Sequence, residues 1–280
     1  MKSDVRFGPA GIPPDYSGGS VGAVKYIHDE GLRAFELEFV RGVKMSEDTA
    51  KKVREQAENY KIKLSAHAPY WINCAAKEPQ KIKNTIRNIM ETVRIAHALG
   101  AGIIVFHPAF YLGRTPAQTH ELVVKTLKQV EEKMKQEKIT DVILGAETMG
   151  KTTQYGTVDE LVQLSQEIPV VKPVIDFAHL HARCQGCIHK KEDYAKIFDA
   201  LEKGLGKKAV SSFHSHFSSI EWNKGGEKRH LVLEEASEPP FKPLAKLLVE
   251  NGYSGTIICE TPYLDLDALK LKRMYEKEKG

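Results

Sequence analysis

Six side chains of metal-binding type close six successive β-branched runs. His67 ends Leu64-Ser-Ala-His, His107 ends Ile104-Val-Phe-His, and Glu147 ends Leu144-Gly-Ala-Glu. Asp176 ends Val174-Ile-Asp, His216 ends Phe213-His-Ser-His, and Glu260 ends Ile257-Ile-Cys-Glu. Two further histidines lie close by: His179, three residues after Asp176, and His230, in the segment after the seventh run. Imidazole with carboxylate and no thiolate at the strand ends suits zinc, manganese or iron and argues against a structural Cys-rich zinc site. One catalytic metal takes about three protein ligands and keeps an open position. Six to eight donors therefore call for at least two metals, and a metal pair suits hydrolytic displacement at phosphorus. Glu147, central in the series, is the natural bridging carboxylate.

These residues need elements that bring the ends of distant runs together. Eight strands are expected: 5–8, 34–39, 62–67, 102–107, 142–147, 172–176, 211–217 and 256–260. Helical patterns are expected over 19–30, 46–60, 79–99, 115–138, 158–167, 191–203, 240–251 and 265–279. Ser46 followed by acids, and Thr115 before Pro116, are helix-start signals, and Gly31, Gly100 and Gly252 sit where helices stop. Parallel strands require helical crossovers, so eight strand–helix units with no composition break indicate one (β/α)8 TIM barrel over residues 1–280. An open doubly wound sheet would carry a Gly-rich phosphate loop after its first strand, and Gly8-Pro-Ala-Gly-Ile-Pro-Pro does not fit that pattern. In a barrel the C-terminal strand ends share one mouth, where such enzymes build their sites.

Composition is consistent with this. The 280 residues are 41% apolar and 28% charged, with 41 Lys+Arg against 37 Asp+Glu for a net charge of +4. That mixture excludes disorder, collagen-like repeats and coiled coil. The slight basicity does not by itself indicate nucleic acid, because lysines interleave with acids as on solvated helix faces; such helices point towards a thermophile. No apolar run is long enough to span a bilayer, and the Met1-Lys-Ser-Asp-Val-Arg-Phe-Gly start lacks a signal peptide's apolar stretch. A cytoplasmic, monomeric protein without membrane attachment is expected.

The segments His67-Ala-Pro-Tyr70, His107-Pro, Glu147-Thr, Asp176-Phe-Ala-His179, His216-Phe-Ser-Ser and Glu260-Thr-Pro resemble, in order and approximate spacing, the motifs of the endonuclease IV family. These are zinc-dependent apurinic/apyrimidinic endonucleases built on a TIM barrel. The resemblance implies one Zn2+ on His67, His107 and Glu147, and a second on Glu147, Asp176, His216 and Glu260, with Glu147 and Glu260 at the catalytic centre and Mn2+ as an alternative ion. It implies a third metal on His179 and on an Asp-x-His pair after the seventh strand. Here His230 fits, but Lys228 stands where the family has Asp. Either Glu227, one position off, substitutes in a shifted loop, or the Lys228 cation takes the third-metal position and binds phosphate. Tyr70 matches an aromatic that the family places against DNA at the lesion, with Trp71 and Asn73 following in the same loop, and Arg41 falls near the position of a DNA-penetrating arginine. The expected partner is double-stranded DNA carrying abasic sites, and the expected reaction is hydrolysis of the phosphodiester on the 5′ side of the lesion to leave a 3′-hydroxyl.

Other readings stay open. A metal-dependent sugar or sugar-phosphate isomerase or epimerase uses the same barrel, and a third alternative is a metal-binding barrel that binds DNA without turnover. His214, two residues before His216, is read as a buried hydrogen-bonded histidine. Cys184 and Cys187 form a lone C-x-x-C between His181 and His189, with no second pair to complete a zinc finger. They are read as a disulfide or as spare thiols, and no chemistry is assigned to them.

Overall fold

A computed structural model describes residues 3–234 and 237–280. Eight parallel strands form one sheet: β1 (Val5–Pro9), β2 (Ala34–Glu38), β3 (Lys63–His67), β4 (Ile103–Phe106), β5 (Ile143–Glu147), β6 (Val171–Asp176), β7 (Phe213–Phe217) and β8 (Gly255–Cys259). Neighbours in sequence are neighbours in the sheet, and β8 pairs with β1. Between β1 and β2 the ring is closed by a parallel bridge from Ala10 to Glu36 and by hydrogen bonds from Arg33 N to Phe7 O and from Gly11 N to Glu36 O. Gly8 permits this closure, since a Cβ there would lie 1.8 Å from the Ala34 carbonyl oxygen. The (β/α)8 architecture read from the sequence is the one observed.

Ten helices are present among the described residues: α1 (Ser20–Asp29), α2 (Glu47–Tyr60), α3 (Pro79–Leu99), α4 (Pro116–Gln136), α5 (Val158–Glu167), α6 (Phe177–Arg183), α7 (Lys191–Leu205), α8 (Lys207–Ser211), α9 (Phe241–Asn251) and α10 (Leu264–Lys279). Ser46 accepts a hydrogen bond from Thr49 N, and Thr115 and Thr157 form capping boxes with Gln118 and Glu160. Strand side chains alternate between faces. On β2, Phe35 and Leu37 are buried in the apolar core, whereas Glu36 meets histidines of β7 across the barrel. An aromatic cluster ties helices to the sheet: the Phe198 ring lies 6.1 Å from Phe177, 5.5 Å from Phe213 and 4.9 Å from Tyr253. No helix among the described residues is long and apolar enough to cross a membrane.

Three elements differ from the expectation. Residues 177–183, for which no helix was expected, form α6, a helix too short to show a period. The start of the expected seventh strand is helical, with α8 ending at Ser211. The segment after β7 is an antiparallel hairpin, Ser219–Asn223 paired with Gly226–Leu231, bulged at Glu221/Trp222. Cys184 and Cys187 are joined in a disulfide at the end of α6.

Candidate metal centre

The floor of the barrel mouth is the Glu147 carboxylate, fully buried at the end of β5. Oε2 lies 3.3 Å from His67 Nε2 and 3.0 Å from His107 Nε2. Oε1 lies 3.0 Å from His216 Nδ1 and 3.4 Å from His179 Nδ1. Adjacent strand ends deliver these groups: β3 ends at His67, β4 one residue before His107, and His216 is the penultimate residue of β7. Two donor sets converge on Glu147. One is His67, His107 and Glu147, the other Glu147, Asp176, His216 and Glu260, with the ligand atoms of each set within 4.8 Å of one another.

The remaining nitrogens of the histidines orient them. His67 Nδ1 donates to the Ala68 carbonyl at 2.8 Å and His179 Nδ1 to the Thr148 carbonyl at 3.0 Å, because a carbonyl only accepts. Each Nε2 is thereby turned into the site, as is common for metal-binding histidines. Asp176 is divided in a similar way: Oδ1 accepts the His179 backbone N–H at 2.7 Å and starts α6, while Oδ2 is buried with no hydrogen-bond partner. An orphaned carboxylate oxygen beside four imidazoles and two further carboxylates fits a divalent cation, as does the borderline N/O donor set.

A third set gathers at the hairpin. His179, His230 and Asp176 offer ligand atoms within 4.8 Å of one another. The Nε2 atoms of His179 and His230 face each other at 3.3 Å, and Glu227 Oε2 lies 3.5 Å from His179 Nε2. Glu227 fits only because Gly150 opposes it, since a Cβ at residue 150 would be 2.7 Å from Oε2. Lys228 points the other way: it is the extra residue of the bulge opposite Glu221/Trp222, where alternation is broken, and it shares a face with Arg229. Its Nζ pairs with Glu221 on the exposed face of the hairpin. The placement of Lys228 in the third-metal position is corrected accordingly, and Glu227 occupies the site side.

Electrostatics follow from this crowding. Burial pushes Glu147 up, but the charges of His216 and His107 outweigh it and hold the carboxyl well below its usual range. Glu260 is likewise opposed by burial yet drawn down to about 2, chiefly by His216. Asp176 is pushed up to about 6 by burial, partly offset by His179. Burial disfavours charge on His67 and His179, but Glu38 and Glu147 bring His67 to about 10, and Asp176 and Glu147 bring His179 to about 9.

The family model for xylose isomerase-like TIM barrels matches residues 24–278. An uncharacterized protein of Methanocaldococcus jannaschii is 40% identical over 271 residues, covering 97% of each chain. A probable endonuclease 4 of Mycoplasma pneumoniae is 30% identical over 227 residues, covering 78% of this chain and 75% of that one. The chain is a xylose isomerase-like TIM barrel of the endonuclease IV family. Among solved structures, a D-tagatose 3-epimerase-like protein superposes with TM-score 0.71 at 20% identity, covering 99% of this chain and 97% of that one. Endonuclease IV from Thermus thermophilus superposes with TM-score 0.68 at 19% identity, covering 99% of this chain and 98% of that one. At those identities the structural likeness speaks to the fold.

In this endonuclease IV-family barrel, a cavity of about 480 Å³ opens above the donors, lined by His67, His107, His179, Glu227, His230 and Glu260 together with Tyr70 and Lys151. Tyr70, 57% exposed, stacks on His107 at 5.7 Å, and Trp71 beside it is 56% exposed. Asn73 serves the loop instead, its Oδ1 accepting from Ala75 N and Phe110 N. Arg41 is exposed and lines a neighbouring cavity of about 690 Å³. His214 is 8% exposed and meets Glu36 at 3.0 Å, as a buried hydrogen-bonded histidine should.

Sequence reasoning missed Glu36 and Glu38, which β2 places on the inner face. Glu36 Oε2 accepts from Ser65 Oγ at 2.7 Å, and Oε1 lies 2.9 Å from His216 Nε2 without the alignment of a hydrogen bond. The available signal was the Glu36-Leu-Glu38 alternation, which puts both acids on one face. Lys151, the cation at the mouth, was also missed; it follows β5 in a loop whose carbonyls at Met149, Lys151 and Gln154 are held by Arg183.

Proposed function

We propose that this protein is a metal-dependent phosphodiesterase that hydrolyses DNA on the 5′ side of an abasic site and leaves a 3′-hydroxyl. The observation that carries the reading is the sharing of Glu147 by two donor sets, one of which includes His67 and His107. Zn2+ or Mn2+ held there would supply water activated at neutral pH and would neutralise the phosphoryl oxygens. Glu147 would bridge two ions, Glu260, Asp176 and His216 would complete the second, and His179, His230 and Glu227 would hold a third.

The chain's own residues do the rest. Glu36 packs against His216 behind the site, so the His216 ring keeps Nδ1 directed at Glu147 and Glu260. Tyr70 and Trp71 present flat apolar surface at the rim, suited to the bases flanking a gap in the stack. Arg41 and Lys151 supply the local positive charge that a phosphate backbone requires, which a global charge of +4 does not. An abasic nucleotide has no base to unstack, so drawing it into the mouth takes less energy than flipping an intact one. This supports lesion selectivity without sequence readout.

A sugar isomerase or epimerase is the second reading, favoured by the Glu147, Asp176, His216 and Glu260 set, which suffices for a single ion between two facing glutamates. The deciding experiment is incubation of the metal-loaded and chelator-stripped protein with a duplex containing one abasic analogue. The proposal expects a nick immediately 5′ to the lesion, abolished by stripping and restored by Zn2+ or Mn2+. No nick with two metals bound, together with turnover of a ketose or its phosphate, would replace it with the sugar enzyme.

A further inference from the structure

Helix α6 delivers two side chains on one face. His179 and Arg183 are four residues apart, about one helical turn, so they project on the same side. His179 enters the third donor set, whereas half-buried Arg183 holds the loop between β5 and α5. Its Nη1 donates to the carbonyls of Lys151 at 2.6 Å, Gln154 at 2.8 Å and Met149 at 3.4 Å. Its Nη2 donates to the Tyr111 hydroxyl at 3.3 Å, which in turn donates to Glu160 at 2.7 Å in the first turn of α5. Among the described residues, every hydrogen bond of Arg183 therefore goes to a backbone carbonyl or to that hydroxyl. A planar guanidinium carries its donors in a fixed fork, so one side chain pins the loop at several points.

The pinned loop is what the hairpin after β7 rests on. Lys151 pairs with Gly226 in an antiparallel bridge, Glu227 N donates to Gly150 O at 3.2 Å, and Thr152 N donates to Gly225 O at 3.4 Å. The approach is close enough to require glycine on both sides. A Cβ at residue 226 would lie 2.1 Å from the Gly150 oxygen, and one at residue 150 would lie 2.6 Å from the Glu227 Cβ. The loop thus sets how near Glu227 comes to His179, 3.5 Å in this structure.

We infer that Arg183 is a positioning residue for the third metal: by fixing residues 149–154 it holds the hairpin where Glu227 faces His179. The inference rests on the third donor set of the metal-dependent reading. One short helix then supplies both a ligand, His179, and the support that brings a second ligand to it. Loss of a residue that orients a metal ligand typically lowers metal affinity by about tenfold to a hundredfold.

The test titrates Zn2+ into the chelator-stripped native chain and into Arg183→Ala, Arg183→Lys and Glu227→Ala, against a chromogenic competitor that resolves successive equivalents. The native chain is expected to take one equivalent for each of its three donor sets at the mouth. Arg183→Ala should weaken the last of these by about tenfold to a hundredfold and leave the other two unchanged. Arg183→Lys, which keeps the charge but not the fork, should fall between. An unchanged third equivalent in Arg183→Ala overturns the role of Arg183 and leaves the third set intact. Weakening of all equivalents together overturns it as well, because a general loss of structure has no preference among the sets; Arg183→Lys decides the matter where the alanine variant does not fold. A native chain that takes only two equivalents, with the same two in Glu227→Ala, overturns the third set and the inference with it.

Discussion

Replacing Glu147 by Gln keeps its shape and removes one charge from beneath four imidazoles at 3.0–3.4 Å. In the metal-free protein this breaks a buried ionic cluster, for which a loss of about 3–5 kcal/mol is typical. Unfolding entropy of about 2.1 cal/mol/K per residue gives roughly 0.6 kcal/mol/K for a chain of this length, so the melting temperature should fall by about 5–8 °C. Metal binding suffers further, because Gln is a weaker donor and two sets lose the same ligand. One falls from three ligands to two and the other from four to three. Elemental analysis should then find at least one metal equivalent fewer per chain. Nicking of an abasic duplex should fall by about a hundredfold to a thousandfold, the scale of losing a principal electrostatic element of a catalytic site. Glu167→Gln is the control: Glu167 pairs with His120 away from the mouth and should alter neither metal content nor nicking. An unchanged metal content and melting temperature in Glu147→Gln would refute the assignment of Glu147 as the shared ligand.

Three further outcomes follow from the geometry. His67 and His179 hold protons up to about 10 and about 9 in the metal-free protein; their raised pKa values stabilise that form below about pH 6.5, and the contribution is lost as pH rises towards 9 to 10. Each proton must leave before Nε2 can bind a cation, so apparent zinc affinity, measured by competition with a chromogenic chelator, should rise between pH 6.5 and 9, with proton release on loading; an affinity flat across that range would contradict the assignment. Glu227→Ala should cost one metal equivalent by elemental analysis and Lys228→Ala none, since Lys228 pairs with Glu221 outside the mouth. Phe198→Ala should lower stability by about 3–5 kcal/mol through the cavity left among Phe177, Phe213 and Tyr253, read as a shifted denaturant midpoint with metal content unchanged.

Much of this molecule was legible because its chemistry is punctuated by strand ends. Alternation of β-branched runs with amphipathic segments is a local signal that survives folding, and it located all eight barrel strands to within one or two residues. Residue type at each strand end then named the candidate donors, since a barrel leaves such ends no destination but one mouth. His67, His107, Glu147, Asp176, His216 and Glu260 all meet there. The lone C-x-x-C was read as a disulfide or as spare thiols, and the bond is present.

What the tertiary structure alone decided concerns directions and distances between segments remote in sequence. Glu36 and Glu38 read as ordinary strand residues until β7 brings His214 and His216 against the first and the open mouth lies beside the second. Choosing between Glu227 and Lys228 was impossible from spacing, because a one-residue change of register reverses which side chain faces inward. The bulged hairpin turns Glu227 towards His179, into the space above Gly150, and Lys228 towards Glu221. The partition of Asp176, one oxygen capping α6 and the other unpaired, is likewise a property of the assembled mouth, arising where a strand ends against a helix too short to announce itself.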